Sequence, residues 1–376
     1  MSEFAAGPAG RIERVRALMV ERGYDAIVVR DEANLRWLTG VKGVFDYTFE
    51  FPHAAFITAD QCLFHTDSRY LNSFEENTLA GSPWVYDMDE GTIPGWVAGK
   101  IAANKCRVCA VEDDMQINFY QGIQRGLEDR SVACMLPLMH DDIRKMRAIK
   151  DAEEIELMRH AQSITDAAFQ HMLGFIKPGM TEKQVRNELE NFMFANGADS
   201  LAFGSIVASG PNTANPHAVP SDRVIEKGDF VLMDYGAGYC DYRSDMTRTV
   251  VMGEPTPEQL DLYALVRRTH EECVAAIHPG VEGNDIYKLS KKIIGDAGYG
   301  DYYNHGLGHG VGIDIHELPN FNRSKNTIEI GSVVTMEPGV YLPGVGGVRL
   351  EDYGVVTENG YEPFTKTPHD LHVIDC

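Results

Sequence analysis

Asp234 and Asp245, in VLMDYGAGYCDYRSDMTRT, are the first residues whose type and spacing could do chemistry. A hairpin turning at Tyr239-Cys240 would set them directly opposite each other, on one face, with Cβ atoms ~5 Å apart. Two carboxylates that close repel each other unless a cation lies between them. A pair of divalent ions ~3.5–4 Å apart fits such a gap. By itself the pair reads equally well as solvated carboxylates on an exposed hairpin. The apolar run FVLM before Asp234 favours a buried position instead.

The stretch HGLGHGVGIDIHELPN brings His305, His309 and His316 close together. Their spacing is not H-E-x-x-H, and Gly306, Gly308, Gly310 and Gly312 would weaken a helix. A glycine-rich loop leading into a strand is expected, with the glycines letting the backbone approach a ligand or metal centre. Imidazole is both a common metal ligand and a general acid or base near neutral pH. Glu337 ends the apolar run of TMEPGVY, and Glu351 sits in GVRLEDYGV. Either alone reads as an ordinary strand residue. Arg349 shares a strand face with Glu351 and could orient a metal-bound carboxylate. His217, in the Pro-rich SGPNTANPHAVP, is free to face a cleft. Cys106 and Cys109 form a lone C-x-x-C, which without a second pair reads as two strand residues.

Elements must carry these residues. Residues 11–23 read as a helix ending at Gly23, 26–29 as a strand, 53–67 as two strands turning at Asp60, and 107–112 as another strand. This alternation over the first 137 residues suggests an α/β layer. Residues 141–176 read as one long helical stretch, breakable where Asp151 and Glu154 form a capping box. Thr181 with Gln184 starts a further helix, stopping near Gly197, and strand-like runs follow at 204–209, 230–237 and 242–252. Thr256 with Gln259 starts a helix reaching about His278, and another helix follows Asn284. Two strand-like runs, 332–341 and 347–357, close the pattern around LPGVGG. The second part thus reads twice as helix, helix, strands, a weak internal repeat.

The 376 residues suggest two domains, and a 44% apolar content is ordinary for globular chains. A formal charge of −22 argues against nucleic acid or an anionic membrane as partner. No apolar run is long enough for a membrane span, and MSEFAAGPAG lacks the pattern of a secretory leader. Seven scattered cysteines, an odd number, read as reduced thiols in the cytoplasm.

The ordered segments PH (His217), MDYG (Asp234), SDMTRT (Asp245), GLGH (His309), HELP (His316), MEPG (Glu337) and RLED (Arg349, Glu351) resemble the pita-bread metallopeptidases. The nearest type is the Xaa-Pro aminopeptidases and Xaa-Pro dipeptidases, or prolidases. DSRY at 67–70 resembles the creatinase-like N-terminal domain of the same proteins. The resemblance implies an α+β chain: a creatinase-like α/β domain over 1–137, a linker and helix start over 138–150, and a pita-bread catalytic domain, a pseudo-twofold α/β repeat, over 151–376. It implies that Asp234, Asp245, His309, Glu337 and Glu351 hold two divalent ions. Manganese is expected, with cobalt or zinc as the other options; carboxylate-rich ligation suits a hard ion. It implies hydrolysis of the bond before proline in a small peptide with proline second. Glu337 would move the proton, His316 and His217 would stabilise the oxyanion, and His305 and Arg349 would contact substrate. A homodimer is expected with it. The competing expectations are a lyase- or creatinase-like enzyme on the same fold, and a metal-free binding scaffold.

Overall fold

A computed structural model describes residues 7–42, 51–88 and 91–376, so part of the leader reading, residues 1–6, lies outside the described residues. The chain divides into two compact units, Met1–Arg147 and Ala148–Cys376.

The first unit runs α1 (Gly7–Arg22), β1 (Ala26–Val29), α2 (Glu32–Thr39), β2 (Ala54–Thr58), β3 (Cys62–His65), α3 (Leu71–Asn77), β4 (Val85–Asp87), α4 (Ile93–Ala103), β5 (Cys109–Val111), α5 (Ile117–Asp129) and α6 (Asp142–Arg147). The strands form one mixed sheet in the order β4-β3-β2-β1-β5. β1 lies antiparallel to β2 and parallel to β5. Strands buried on both faces need continuous apolar runs, and β1 and β2 are buried at every position. Val28, Phe56, Trp96, Ile101, Ile123 and Leu127 build the core under α4 and α5. Cys106 and Cys109 are buried free thiols here, and burial pushes Cys106 up to about 11, which leaves it unreactive.

The second unit opens with α7 (Ala152–Phe175) and α8 (Glu182–Ala195). The break between α6 and α7 falls where Asp151 and Glu154 close a reciprocal capping box. Strands β6 (Ser200–Leu201), β7 (Ile206–Ser209), β8 (Phe230–Tyr235), β9 (Ala237–Tyr239), β10 (Tyr242–Arg243) and β11 (Met246–Met252) follow. Then come α9 (Pro257–Ala275), α10 (Gly283–Asp296), β12 (Gly308–Gly310), β13 (Glu317–Phe321), β14 (Val333–Met336), β15 (Gly339–Leu342), β16 (Gly346–Arg349), β17 (Asp352–Thr357), β18 (Gly360–Pro363) and β19 (Val373–Ile374). Two helices followed by mainly antiparallel strands thus occur twice, with sheet orders β19-β11-β8-β7, where β19 joins β11 in parallel, and β13-β12-β14-β17-β18. The helices cover apolar sheet faces: Phe169, Met172, Val185 and Leu189 meet Val207, Val231 and Met233 in the first half. Cys273, Ile277 and Ile286 meet Phe321, Val334 and Met336 in the second.

The hairpin departs from expectation. It turns at Cys240-Asp241, both in the left-handed region with φ of 47° and 70°, as a two-residue I′ loop requires. Tyr239 faces Tyr242, and Asp234 therefore opposes Thr247 rather than Asp245. Moving the turn by one residue moves every partner by two, which preserves the face. The continuous runs expected at 230–237, 242–252, 332–341 and 347–357 are each interrupted. β8 stops before Gly236, where a Cβ would lie 1.9 Å from the Ser244 carbonyl oxygen. β14 stops before Glu337-Pro338, and β16 stops before Leu350-Glu351.

Candidate metal centre

Three of the four carboxylates sit in those interruptions. Asp245 precedes β11, Glu337 follows β14, and Glu351 lies between β16 and β17; only Asp234 is inside a strand. A residue at a strand break is released from the pleat's alternation, so its side chain can turn toward a common point. Backbone bonds pin the breaks: the Glu337 amide donates to the Leu307 carbonyl at 2.8 Å, and the Glu351 amide to that of Thr247 at 3.1 Å.

His309 is fixed by β12. The glycines on either side of it are required by the sheet. A Cβ at Gly308 would lie 2.2 Å from the Thr335 carbonyl oxygen, and one at Gly310 would lie 2.2 Å from that of Leu318. Only glycine lets β12 fit between its two neighbours, and Gly306 and Gly308 also line the cleft, as expected of glycines beside a ligand site. The Nδ1 of His309 lies 3.0 Å from the Gly310 carbonyl oxygen, so it carries the proton and donates. Its Nε2, left with a lone pair, faces Glu337 at 3.5 Å and Asp245 at 3.7 Å. Ligand atoms of Asp245, His309 and Glu351 all lie within 4.8 Å of one another.

A cleft of about 420 Å³ collects Asp234, Asp245, His309, Glu337 and Glu351. His217, His305, His316 and Arg349 also line it, so the structure brings together every site residue read from the sequence. Two supporting residues were not singled out there. Thr247 donates to Glu351 Oε2 at 2.7 Å and accepts from Arg349 Nε at 3.0 Å. Tyr341 accepts from Arg349 at 2.9 Å and meets His305 Nε2 at 3.0 Å, while His305 Nδ1 lies 2.7 Å from the Gly306 carbonyl. That chain sets the tautomer: His305 donates from Nδ1 and accepts the Tyr341 hydroxyl at Nε2. Both signals lay within quoted motifs, SDMTRT and MEPGVY, but neither residue type announces a metal site.

The electrostatics are lopsided. Burial, then the charge of Glu351, holds the Asp245 carboxyl far above the carboxylate range. Burial, then Glu337, does the same to Glu351. Burial pushes Glu337 up to about 8 although Arg349 opposes it. Burial pushes His309 down to about 3 and His305 to about 4, so both rings are neutral. Arg349 pairs directly with Asp234, at 2.5 Å to Oδ2, and the other oxygen of Asp234 is buried without a hydrogen-bond partner among the described residues. An imidazole lone pair facing carboxylate oxygens, beside an orphaned carboxylate oxygen, is unfavourable without cations and is the ligand set of an oxygen-rich metal centre with them. The residues fit two divalent ions.

A pH dependence follows. Without cations, Glu337 keeps its proton up to about 8 in the fold but only to about 4.5 when unfolded. The folded state then holds protons that the unfolded chain has released. This contribution is fully present below the unfolded value and is lost as pH rises through the folded one. Metal-stripped protein should therefore show a melting temperature that falls from pH 4.5 to 8, and saturating manganese should remove that slope. Equal slopes with and without metal would contradict the assignment.

The sequence of residues 156–358 matches the model of metallopeptidase family M24, and residues 11–149 match that of the creatinase/prolidase N-terminal domain. The uncharacterized peptidase YqhT of Bacillus subtilis is 37% identical over 97% of this chain and 100% of its own length. A solved Xaa-Pro dipeptidase from Bacillus anthracis superposes with a TM-score of 0.89 at 36% identity, covering 98% of this chain and 100% of that one. An X-Pro aminopeptidase from Thermotoga maritima does so with a TM-score of 0.85 at 30% identity, over 97% and 100%.

Proposed function

Because the chain belongs to metallopeptidase family M24 and carries a creatinase/prolidase N-terminal domain, we propose that it is a metal-dependent hydrolase of the bond between an N-terminal residue and proline. The observation that carries this reading is the convergence of four carboxylates and the neutral, lone-pair-bearing His309 on one cleft. Asp234, Asp245, His309, Glu337 and Glu351 would hold the ions. When bound, they would supply the charge that polarises a carbonyl and makes water acidic enough to attack at neutral pH.

The chain's own residues do the rest. Glu337 takes a proton from the attacking water and delivers it to the leaving nitrogen. That nitrogen is the tertiary amide nitrogen of proline, which has no hydrogen of its own and must be protonated as the C–N bond breaks. His316 and His217, both lining the cleft, donate to the oxygen that becomes negative as the carbonyl turns tetrahedral. Partial desolvation, then His217, lowers His316 below the ordinary histidine range, so it donates as a neutral ring. His305 is held by Tyr341, itself fixed by Arg349, and, with Phe203, Ile206 and Ile315, offers the substrate a wall rich in apolar surface. A proline ring suits such a wall.

Removing one donor to a developing oxyanion costs about 10²–10³ in rate. His316→Ala should accordingly lower kcat by that factor while leaving KM within a few fold; a change confined to KM would assign His316 to ground-state binding instead.

The reading includes manganese as the resident ion, supported by the carboxylate-rich donor set. It includes a cytoplasmic setting, which the seven free thiols support. Among the described residues no helix is long and apolar enough to cross a membrane. It also includes a homodimer, to be checked by sedimentation. The decisive assay offers Xaa-Pro and Xaa-Pro-Yaa peptides with EDTA and with added Mn²⁺. Hydrolysis that EDTA stops and Mn²⁺ restores supports the reading, and the faster of the two peptides names the subclass. Metal-loaded protein inert on both would overturn it.

A further inference from the structure

We propose that His270, Asp352 and His369 form a separate site for a third divalent ion, zinc by preference. The three come from α9, the start of β17 and the segment before β19, and their ligand atoms all lie within 4.8 Å of one another. None of them lines the catalytic cleft.

The telling residue is His270. It is 1% exposed, and neither of its ring nitrogens has a hydrogen-bond partner among the described residues. A buried imidazole normally has both nitrogens satisfied, because an unmade bond there forfeits the water it gave up. Its Nε2 stands 3.6 Å from Asp352 Oδ2. His369 Nε2 reaches the same oxygen at 2.6 Å. Ligands at ~2.0–2.2 Å from a tetrahedral zinc lie ~3.3 Å from one another. The His270–Asp352 spacing already suits that geometry. His369 must back away by well under the width of an atom, and its side chain, 26% exposed, has solvent to move into. The same exposed edge gives an ion its way in and supplies water as fourth ligand.

Arg248 completes the argument. It donates to Asp352 Oδ1 at 2.8 Å, leaving Oδ2 to the two histidines, and to the Thr367 carbonyl at 2.7 Å. It therefore orients the carboxylate from behind, as outer partners do in metal sites. Its positive charge also makes this site weaker than the cleft, where four carboxylates face one arginine. Two imidazoles and one carboxylate, rather than a carboxylate cage, select zinc over manganese. An ion here would tie α9 and the C-terminal segment to β17, whose first residue directly follows the cleft's Glu351.

The test is the total metal content of full-length protein, loaded with Mn²⁺ and then equilibrated with Zn²⁺. Three ions per chain are expected, with a rise in melting temperature on zinc addition. His369→Ala and His270→Gln should each bind two, lose that rise and retain peptide hydrolysis within about twofold, since neither histidine lines the cleft. Should His270→Gln fail to fold, the partly exposed His369→Ala decides alone. Asp245→Asn should keep the zinc-dependent rise, so a failure of the cleft assignment is distinguishable from a failure here. Saturation of the native chain at two ions, or a third ion persisting in both histidine variants, overturns the proposal.

Discussion

Asp245→Asn is expected to abolish peptide hydrolysis and, at the same time, to make the metal-free protein no less stable. The two effects have one cause. Asp245 is 4% exposed and crowded by Glu351, Asp234 and Glu337, so its carboxyl stays protonated in the fold far above its ordinary range unless cations are present. Asparagine keeps the shape and is neutral without taking up a proton. The metal-free fold is then spared the cost of holding that proton where the unfolded chain has released it, and its melting temperature at pH 8 should hold or rise. The cost falls on metal binding: one carboxylate fewer in a set of four, facing His309 at 3.7 Å. Turnover should fall by on the order of 10³ or more, since both carbonyl polarisation and water activation depend on the ions. Elemental analysis with steady-state kinetics checks the first effect, and thermal unfolding in EDTA the second. A variant with native turnover would remove Asp245 from the centre. A sharp loss of metal-free stability would make its role structural.

Glu337→Gln should lower kcat by about 10²–10⁴, the range for losing a positioned proton carrier. Glu337, proposed as the general base, lies 3.5 Å from His309 Nε2 and in the same cleft as His316. Glutamine retains one oxygen for an ion but cannot carry a proton. The loss should therefore exceed what any fall in metal content explains, and excess Mn²⁺ should not repair it. Full recovery in excess metal would reduce Glu337 to a ligand alone.

Much of this was readable in the chain because the relevant physics is local. The capping boxes at Asp151–Glu154, Thr181–Gln184 and Thr256–Gln259 need only residues three apart, and all three start helices. The candidate ligands stood out because carboxylates and histidines beside apolar runs are costly unless used. What escaped is what depends on backbone detail. The turn at Cys240-Asp241 puts two non-glycine residues at positive φ, which nothing in their identity demands. The reading of 332–341 and 347–357 as unbroken strands missed the interruptions that aim Glu337 and Glu351 inward, although Pro338 hinted at one. That Gly308 and Gly310 must also admit β14 and β13 is a tertiary fact that no local pattern carries. Thr247 and Tyr341 carry no signal of their own; only the fold sets them against Glu351, Arg349 and His305.

The most direct measurement is anomalous scattering at the manganese edge from crystals grown with Mn²⁺. The account predicts two peaks in the cleft, ~3.5–4 Å apart, between the carboxylates of Asp245 and Glu351, with His309 Nε2 in reach of one of them. A single peak would halve the centre, and a cleft without any peak in protein that still cleaves Xaa-Pro peptides would contradict the account outright.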